Sequence, residues 1–247
     1  MSAAEVAPTP LGPFPARVLG SDRLGGLALV RLSLDSRTAL GGPGQFHMLL
    51  NPAGRDYLPR PVGLIQLDDG GVGVLVDAAS AAGDMAGPLL QVLGPLGTGF
   101  DLAAVTSATT LLVAAGFGIT VLPAIVTKHP QIRLIAGFRQ ADHVAALKLV
   151  ERADHDEPAV APDTVLSALA SALATGRYQQ VLAAGPLGMG RAVAGLCVEH
   201  GVASQVAVEA PMACGFGACN GCAIELGGVW LRCCIEGPVV AGARLVA

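Results

Sequence analysis

Lysine and arginine never cluster in this chain, histidine never recurs at a metal-binding interval, and no apolar run is long enough to cross a bilayer. The first absence, with 14% charged residues and a net charge of −4, argues against a nucleic-acid partner. The last is informative because 52% of the residues are hydrophobic and the mean hydropathy is +0.59. Even so, the longest apolar stretch, Leu111 to Val126, is interrupted by Gly116, Gly118 and Pro123 and falls short of a membrane span. The surplus of alanine, valine and leucine therefore points to buried sheets and subunit contacts. The N-terminus, Met-Ser-Ala-Ala-Glu-Val-Ala-Pro, has neither a basic n-region nor an apolar h-region, so a secretory signal is not expected. His47, His129, His143, His155 and His200 stand apart, and no nucleophile–base pair stands out, so no catalytic side chain is assigned. The expectation is a soluble, oligomeric, cytoplasmic protein without a membrane span.

Cysteine is where the chain is specific. Cys214, Cys219 and Cys222 form a C-x4-C-x2-C run, followed by Cys233-Cys234. Three thiolates from one loop and a fourth from further on is the spacing that holds two irons and two sulfides in plant-type ferredoxins. Gly215, Gly217 and Gly221 suit such a loop, which needs positive-φ positions and backbone N–H groups close to sulfur. Two alternatives stay open on spacing alone. A structural zinc site would favour two C-x2-C knuckles, of which only Cys219/Cys222 has the shape, and six cysteines could also pair as disulfides. Cys197 lies in an apolar helical pattern with Val193, Leu196 and Val198 and reads as a buried, inert thiol.

The chain has room for two modest domains and a cofactor module. Residues 1–11 read as a loose, proline-rich tail. Over residues 12–104, short β-type runs alternate with glycine turns: Ala28–Leu34, Gln45–Leu50, Val62–Leu67, Gly73–Val76 and Leu89–Leu93. That pattern predicts a small antiparallel barrel. Over residues 105–208, strands at Thr110–Ala115, Ile132–Ala136, Val181–Ala184 and Ser204–Val208 alternate with helical segments. The helices are expected just after Gly118, over Ala141–Glu151, from an Asp163 cap to Gly176 (with Val165, Leu166, Leu169 and Leu173 on one face), and over Met189–Glu199. Such alternation predicts a doubly wound α/β domain. Residues 209–247 form the cysteine module, and the fold class is α+β, multi-domain.

Other motifs are weaker. Arg60, in Tyr57-Leu58-Pro59-Arg60-Pro61-Val62-Gly63, could set a planar cation against a pyrophosphate or flavin edge, or be a surface arginine in a proline-bracketed turn. Gly94-Pro95-Leu96-Gly97 reads as a sharp turn closing the barrel region. Gly116-Phe117-Gly118 could admit a nucleotide phosphate, but Val121 stands where a dinucleotide fingerprint has its third glycine. Gly185-Pro186-Leu187-Gly188 follows a strand at the sheet edge where α/β domains bind ligands.

In this order, from about Gly12 onward, these segments resemble the electron-transfer subunits of the B-type dihydroorotate dehydrogenases, a branch of the ferredoxin-reductase superfamily. The most specific parts are Arg60-Pro61-Val62-Gly63, Val92-Leu93-Gly94-Pro95-Leu96-Gly97, the Gly185-Pro186 turn, and Met212–Cys222 with Cys234-Ile235-Glu236-Gly237-Pro238-Val239. The resemblance implies an FAD-binding barrel, an α/β domain that receives NAD, and a 2Fe–2S cluster facing an FMN-containing catalytic subunit that oxidises dihydroorotate, in a heterotetramer of two plus two. It implies FAD contacts at Arg60, Pro61, Val62, Gly63, Leu75 and Val76. It implies cluster ligation by Cys214, Cys219, Cys222 and, as the cysteine before the acidic-Gly-Pro-Val stretch, Cys234.

The chain departs from that pattern at named places. Gly63 stands where the family has a serine able to hydrogen-bond the flavin. Leu75-Val76-Asp77-Ala78-Ala79-Ser80 replaces an arginine and Gly-Thr pair, putting an aspartate near an expected pyrophosphate. Ala184 replaces the cysteine of a Cys-Gly-Pro turn, and the proline after the glycine turn is displaced to Pro123. The departures gather on the nucleotide side and spare the cysteines.

Overall fold

The computed structural model describes residues 12–52, 58–83, 89–155 and 162–246. The expected N-terminal tail and Tyr57 lie outside the described residues, as does the side chain of Asp163.

Alternating apolar and polar residues build the first sheet. Strands β1 (Phe14–Leu24), β2 (Leu27–Leu34), β3 (Phe46–Leu50), β4 (Arg60–Val62), β5 (Ile65–Gln66), β6 (Val72–Asp77) and β7 (Leu89–Leu96) pair antiparallel, in the order β4-β3-β7-β1-β2-β6-β5. A short helix, α1 (Ala78–Gly83), follows β6. Inward residues of five strands, among them Ala16, Val30, Leu49, Val74, Leu90 and Val92, share one core. The sheet is barrel-like but not closed: among the described residues its edge strands β4 and β5 do not pair. The Gly94-Pro95-Leu96 segment, expected as a turn, instead continues β7, and the chain turns only at Gly97. The reason is packing. A Cβ on Gly94 would lie 2.6 Å from the His47 ring, so that glycine lets β7 press against β3.

The second sheet is parallel and buried on both faces. Its strands are β8 (Thr110–Ala115), β9 (Arg133–Gly137), β10 (Asp154–His155), β11 (Gln180–Pro186) and β12 (Ala203–Glu209). Beyond β12 the chain forms a hairpin of β13 (Ala223–Leu226) and β14 (Val229–Arg232), then returns as β15 (Val239–Ala241). The sheet order is β10-β9-β8-β11-β12-β15, all parallel except β15, which runs antiparallel to β12. Helices α2 (Pro123–Lys128), α3 (Pro162–Ala174) and α4 (Leu187–Glu199) cover it. Leu111, Val113, Val181 and Val206 pack with Leu169 of α3 and Val193 and Cys197 of α4. Leu112, Ala114, Leu182 and Ala207 pack on the opposite side with Ile125 of α2 and Ile119. Two-sided burial is why these strands read as unbroken apolar runs.

Burial also decides the helices. Glycines cost a helix interior about 1 kcal/mol each against alanine, and α4 carries Gly188, Gly190 and Gly195. One fully buried valine or leucine returns ~1.5–3 kcal/mol, so packing on the sheet outweighs propensity. Two further helical segments are 3-10 and not α: Ala141–Val150, which buries only Ala146 and Val150, and Gly116–Val121. Among the described residues no helix is long and apolar enough to cross a membrane.

Candidate functional site

The cysteine loop hangs between β12 and β13. Gly215 and Gly217 have φ of 79° and 85°, and the third left-handed residue is Asn220 at 57°, where Gly221 was expected. Such backbone costs a non-glycine residue about 1–2 kcal/mol, and asparagine tolerates it best. Gly221 serves the loop's other need, since its N–H points at the Cys219 sulfur at 3.4 Å. A side chain on Gly215 would also run into Met48 of β3, and one on Gly217 would meet Ile235 at 2.9 Å. The loop therefore rests directly on the barrel-like sheet.

Its thiols come together as two pairs. The Cys219 N–H donates to the Cys214 sulfur at 3.4 Å, and the two side chains lie together. The Cys234 N–H donates to the Cys222 sulfur at 3.4 Å, and those thiols touch likewise. Burial pushes the Cys214 thiol up, but N–H groups of Cys219, Phe216 and Ala218 and the Cys219 thiol outweigh it and bring it to about 6. Burial, then the neighbouring Cys222 thiol, push Cys234 upward. Cys233 is fully buried, and burial, then the charge of Cys222, raise its thiol to about 11; its backbone N–H donates to the Cys222 carbonyl at 3.2 Å. Cys197 is buried in the α4 core, with burial again raising it to about 11. All six cysteines are free thiols. Among the described residues no three His, Cys, Asp or Glu side chains converge as a one-ion site. Two thiol pairs suit a centre with two metal atoms better than a single tetrahedral zinc.

Beside the loop lies an apolar cleft of about 300 Å³ between the two sheets. Pro61, Val62, Gly63 and Leu75 line its barrel side, and Gly118, Gly185 and Glu209 its α/β side. Met212 and Pro238, which flank the cysteine segment, complete the wall, so thiols and cleft are neighbours. Of the residues expected at a flavin, those four on the barrel side reach the cleft, while two do not line it. Arg60 donates from Nη1 to the Ser80 hydroxyl at 3.0 Å, beside α1, and Val76 is buried in the barrel core. Asp77 turns toward His143, with 4.0 Å between carboxylate and Nε2. At Gly63 the missing side chain is replaced from the opposite wall, because a Cβ there would lie 2.9 Å from the Thr120 hydroxyl oxygen.

The glycine turn after β8 has a different use from the one expected. A Cβ on Gly118 would collide with the Ala184 carbonyl, so this glycine lets the 3-10 segment pack onto the end of β11. That approach brings the Gly118 N–H beside Glu209, at the C-terminal end of β12, where it pulls the carboxyl down against the upward push of burial. Glu209 had no spacing signal; its one clue was its place just beyond an apolar strand, at the sheet edge where such folds bind ligands.

Residues 209–246 match the family model of the iron–sulfur cluster binding domain of dihydroorotate dehydrogenase B. Over 220 residues the chain is 27% identical to the electron transfer subunit of dihydroorotate dehydrogenase B (NAD(+)) of Clostridium acetobutylicum, covering 83% of this chain and 86% of that one. It is 29% identical over 232 residues to the subunit of the same name from Enterococcus faecalis, with 83% and 86% covered. Among solved structures, a chain of the NADH-dependent reduced ferredoxin–NADP oxidoreductase superposes with a TM-score of 0.69 at 19% identity, covering 92% of this chain and 88% of that one. The chain thus has a ferredoxin-reductase-type fold and resembles, over most of its length, the electron transfer subunits of dihydroorotate dehydrogenase B.

Proposed function

We propose that this protein is the electron-transfer subunit of an oxidoreductase, carrying a 2Fe–2S cluster and FAD and exchanging electrons between NAD and an FMN-containing, dihydroorotate dehydrogenase-like partner. The observation that carries it is the pairing of Cys214 with Cys219 and of Cys222 with Cys234, next to an apolar cleft. Those four cysteines are the ligands in this reading, and Cys233 and Cys197 are packing residues. The N–H groups of Cys219, Gly221 and Cys234 aimed at sulfur stabilise negative charge there, as a reducible thiolate-held centre requires. When bound, the cluster supplies one-electron transfer, while a flavin takes electrons in pairs and releases them singly.

For the flavin, the donor set fits. Pro61, Val62 and Leu75 offer flat apolar walls, Thr120 (its proton given to the Phe117 carbonyl) brings an accepting hydroxyl oxygen to the place Gly63 leaves open, and Arg60 with Ser80 forms a cationic, hydrogen-bonding group by α1. For the nicotinamide ring, the crevice at the C-terminal ends of β8, β11 and β12 is where open α/β sheets hold ligands. This reading divides the chain into a flavin unit (12–104), a nucleotide unit (105–208) and a cluster unit (209–247), working in the cytoplasm as a two-plus-two complex with the catalytic subunit. A second reading, a related reductase subunit that serves a different oxidoreductase without NAD, is favoured by one observation: Gly118 is filled by the Ala184 backbone.

Anaerobic purification with iron, sulfide and flavin analysis tests the proposal. Two irons, two sulfides and one FAD per chain are expected, and an iron-free protein would end it. NADH oxidation with an artificial acceptor separates the two readings, because a flavin-loaded protein inert to NADH supports the second.

A further inference from the structure

Thr110 and His47 are the fully buried polar residues among those described. The Thr110 hydroxyl accepts the Thr106 N–H at 3.1 Å, whereas the ring of His47, on β3, is satisfied on one side only. Its Nε2 lies 2.8 Å from the Ala39 carbonyl. A carbonyl only accepts, so Nε2 carries the proton and the neutral ring has a bare lone pair at Nδ1. Nδ1 has no partner among the described residues. Ala39 belongs to a strap, residues 35–45, that joins β2 to β3 and ends in the cleft wall at Gly44 and Gln45. Other groups hold the ends of the strap. The Asp35 N–H donates to the Pro15 carbonyl at 3.3 Å, the Phe100 N–H to the Pro43 carbonyl at 2.9 Å, and the Gln45 amide to the Gly97 carbonyl at 2.8 Å. Among the described residues, the middle of the strap, from Thr38 to Gly41, is hydrogen-bonded to the sheet through His47 alone.

We propose that His47 is a proton-operated latch: its neutral ring holds the strap on the sheet, and its protonated ring lets the strap lift and loosens that rim of the cleft. Protonation would add an N–H at Nδ1 facing no acceptor of the protein and set a charge in a fully buried place. Both are unfavourable while the strap is down, and water relieves both once it lifts. Neither β3 nor β7 carries a charged residue to offset that charge. The strap carries Asp35 and Arg37, which pair with each other at 2.8 Å, and β4 carries Arg60, which bonds Ser80. Burial pushes the His47 ring below the usual histidine range, and the Ala39 carbonyl only partly opposes it. Asp35 stays ionised throughout, because the Arg37 side chain holds it down at about 2. The latch is therefore at full strength above about pH 6.5, the ordinary histidine value, and weakens as pH falls below it. Its effect on a bound flavin rests on the flavin reading above; the latch itself does not.

The test is backbone hydrogen exchange on the purified full chain, at about pH 7.5 and about pH 5, corrected for intrinsic exchange. The reporter is the peptide spanning residues 35–45, whose Thr38, Gly42 and Gln45 N–H groups are hydrogen-bonded within the strap. In the wild type its protection is expected to fall about tenfold or more at the lower pH, while that of β8 and β11 holds. His47→Gln keeps an N–H donor for the Ala39 carbonyl and takes up no proton, so its strap protection is expected to agree within about twofold at the two pH values. Unchanged strap protection in the wild type overturns the proposal, as does an equal loss in β8 and β11, which would be general acid unfolding. The same loss in His47→Gln as in the wild type overturns it too. The first two outcomes need no variant to fold. Exchange is read whether or not flavin is bound, so a flavin-free protein removes the flavin reading while the strap still decides the latch.

Discussion

The cysteine loop and the cleft share a wall at Met212 and Pro238, yet they keep their shapes by opposite means. The loop is made mostly of consecutive residues, and its shape follows from local backbone: left-handed turns at Gly215, Gly217 and Asn220, and N–H groups turned toward sulfur. The cleft has almost no local structure. Residues from β4, β6, β11 and β12 meet there only because the fold brings the two sheets together, and glycines such as Gly118 let backbones close up. One site is thus written in a dozen neighbouring positions and the other in the assembly of the whole fold. The two should therefore fail separately.

The largest expected effect separates them outright. Cys222→Ser is expected to reduce bound iron to near zero while flavin occupancy stays at the wild-type level, and Cys197→Ser is expected to leave both intact; iron and flavin content per chain are the measurements. Equal iron in the two variants would refute the ligand set. Gly118→Val attacks the other side, since its side chain collides with the Ala184 carbonyl. It is expected to cost about 3 kcal/mol in urea unfolding, a large value for one residue, and to loosen the cleft before the loop. Arg60→Ala is milder: flavin-to-protein ratio about fivefold lower, the loss of ~1 kcal/mol of charge-assisted bonding, with iron unchanged. The smallest effect is expected from Arg232→Ala. Arg232 ties the loop to its neighbour through Glu236 at 2.8 Å and the Gly217 carbonyl at 3.4 Å, but the pair is well exposed. Solvent screens such exposed pairs, so unfolding should barely move and iron content should hold.

The same contrast explains what could be read from the residues alone. Cys214, Cys219 and Cys222 were legible because ligand spacing is local, and the parallel strands because two-sided burial leaves apolar runs. The choice of Cys234 over Cys233 came from family resemblance; in the fold, Cys234 is the one whose thiol reaches Cys222. Strand β1 escaped notice because only its first residues alternate in burial and its second half is exposed. β13, β14 and β15 are three or four residues long, below what periodicity can register. Gly118 looked like a phosphate turn because a glycine needed for a close approach has the same letter whether a ligand or the protein's own backbone fills the space. Glu209 could be found only once β11 and β12 were in register and the Gly118 N–H stood beside it.

The return of β15 to β12 has one more consequence. The strand that leads into the cysteines is the same strand that receives the chain when it leaves them, with Ala207 opposite Val239. The segment is therefore a hoop fastened twice to one post, not a tethered head able to swing between donor and acceptor. Both ends of the cysteine segment are thus fixed to the strand that also helps wall the cleft.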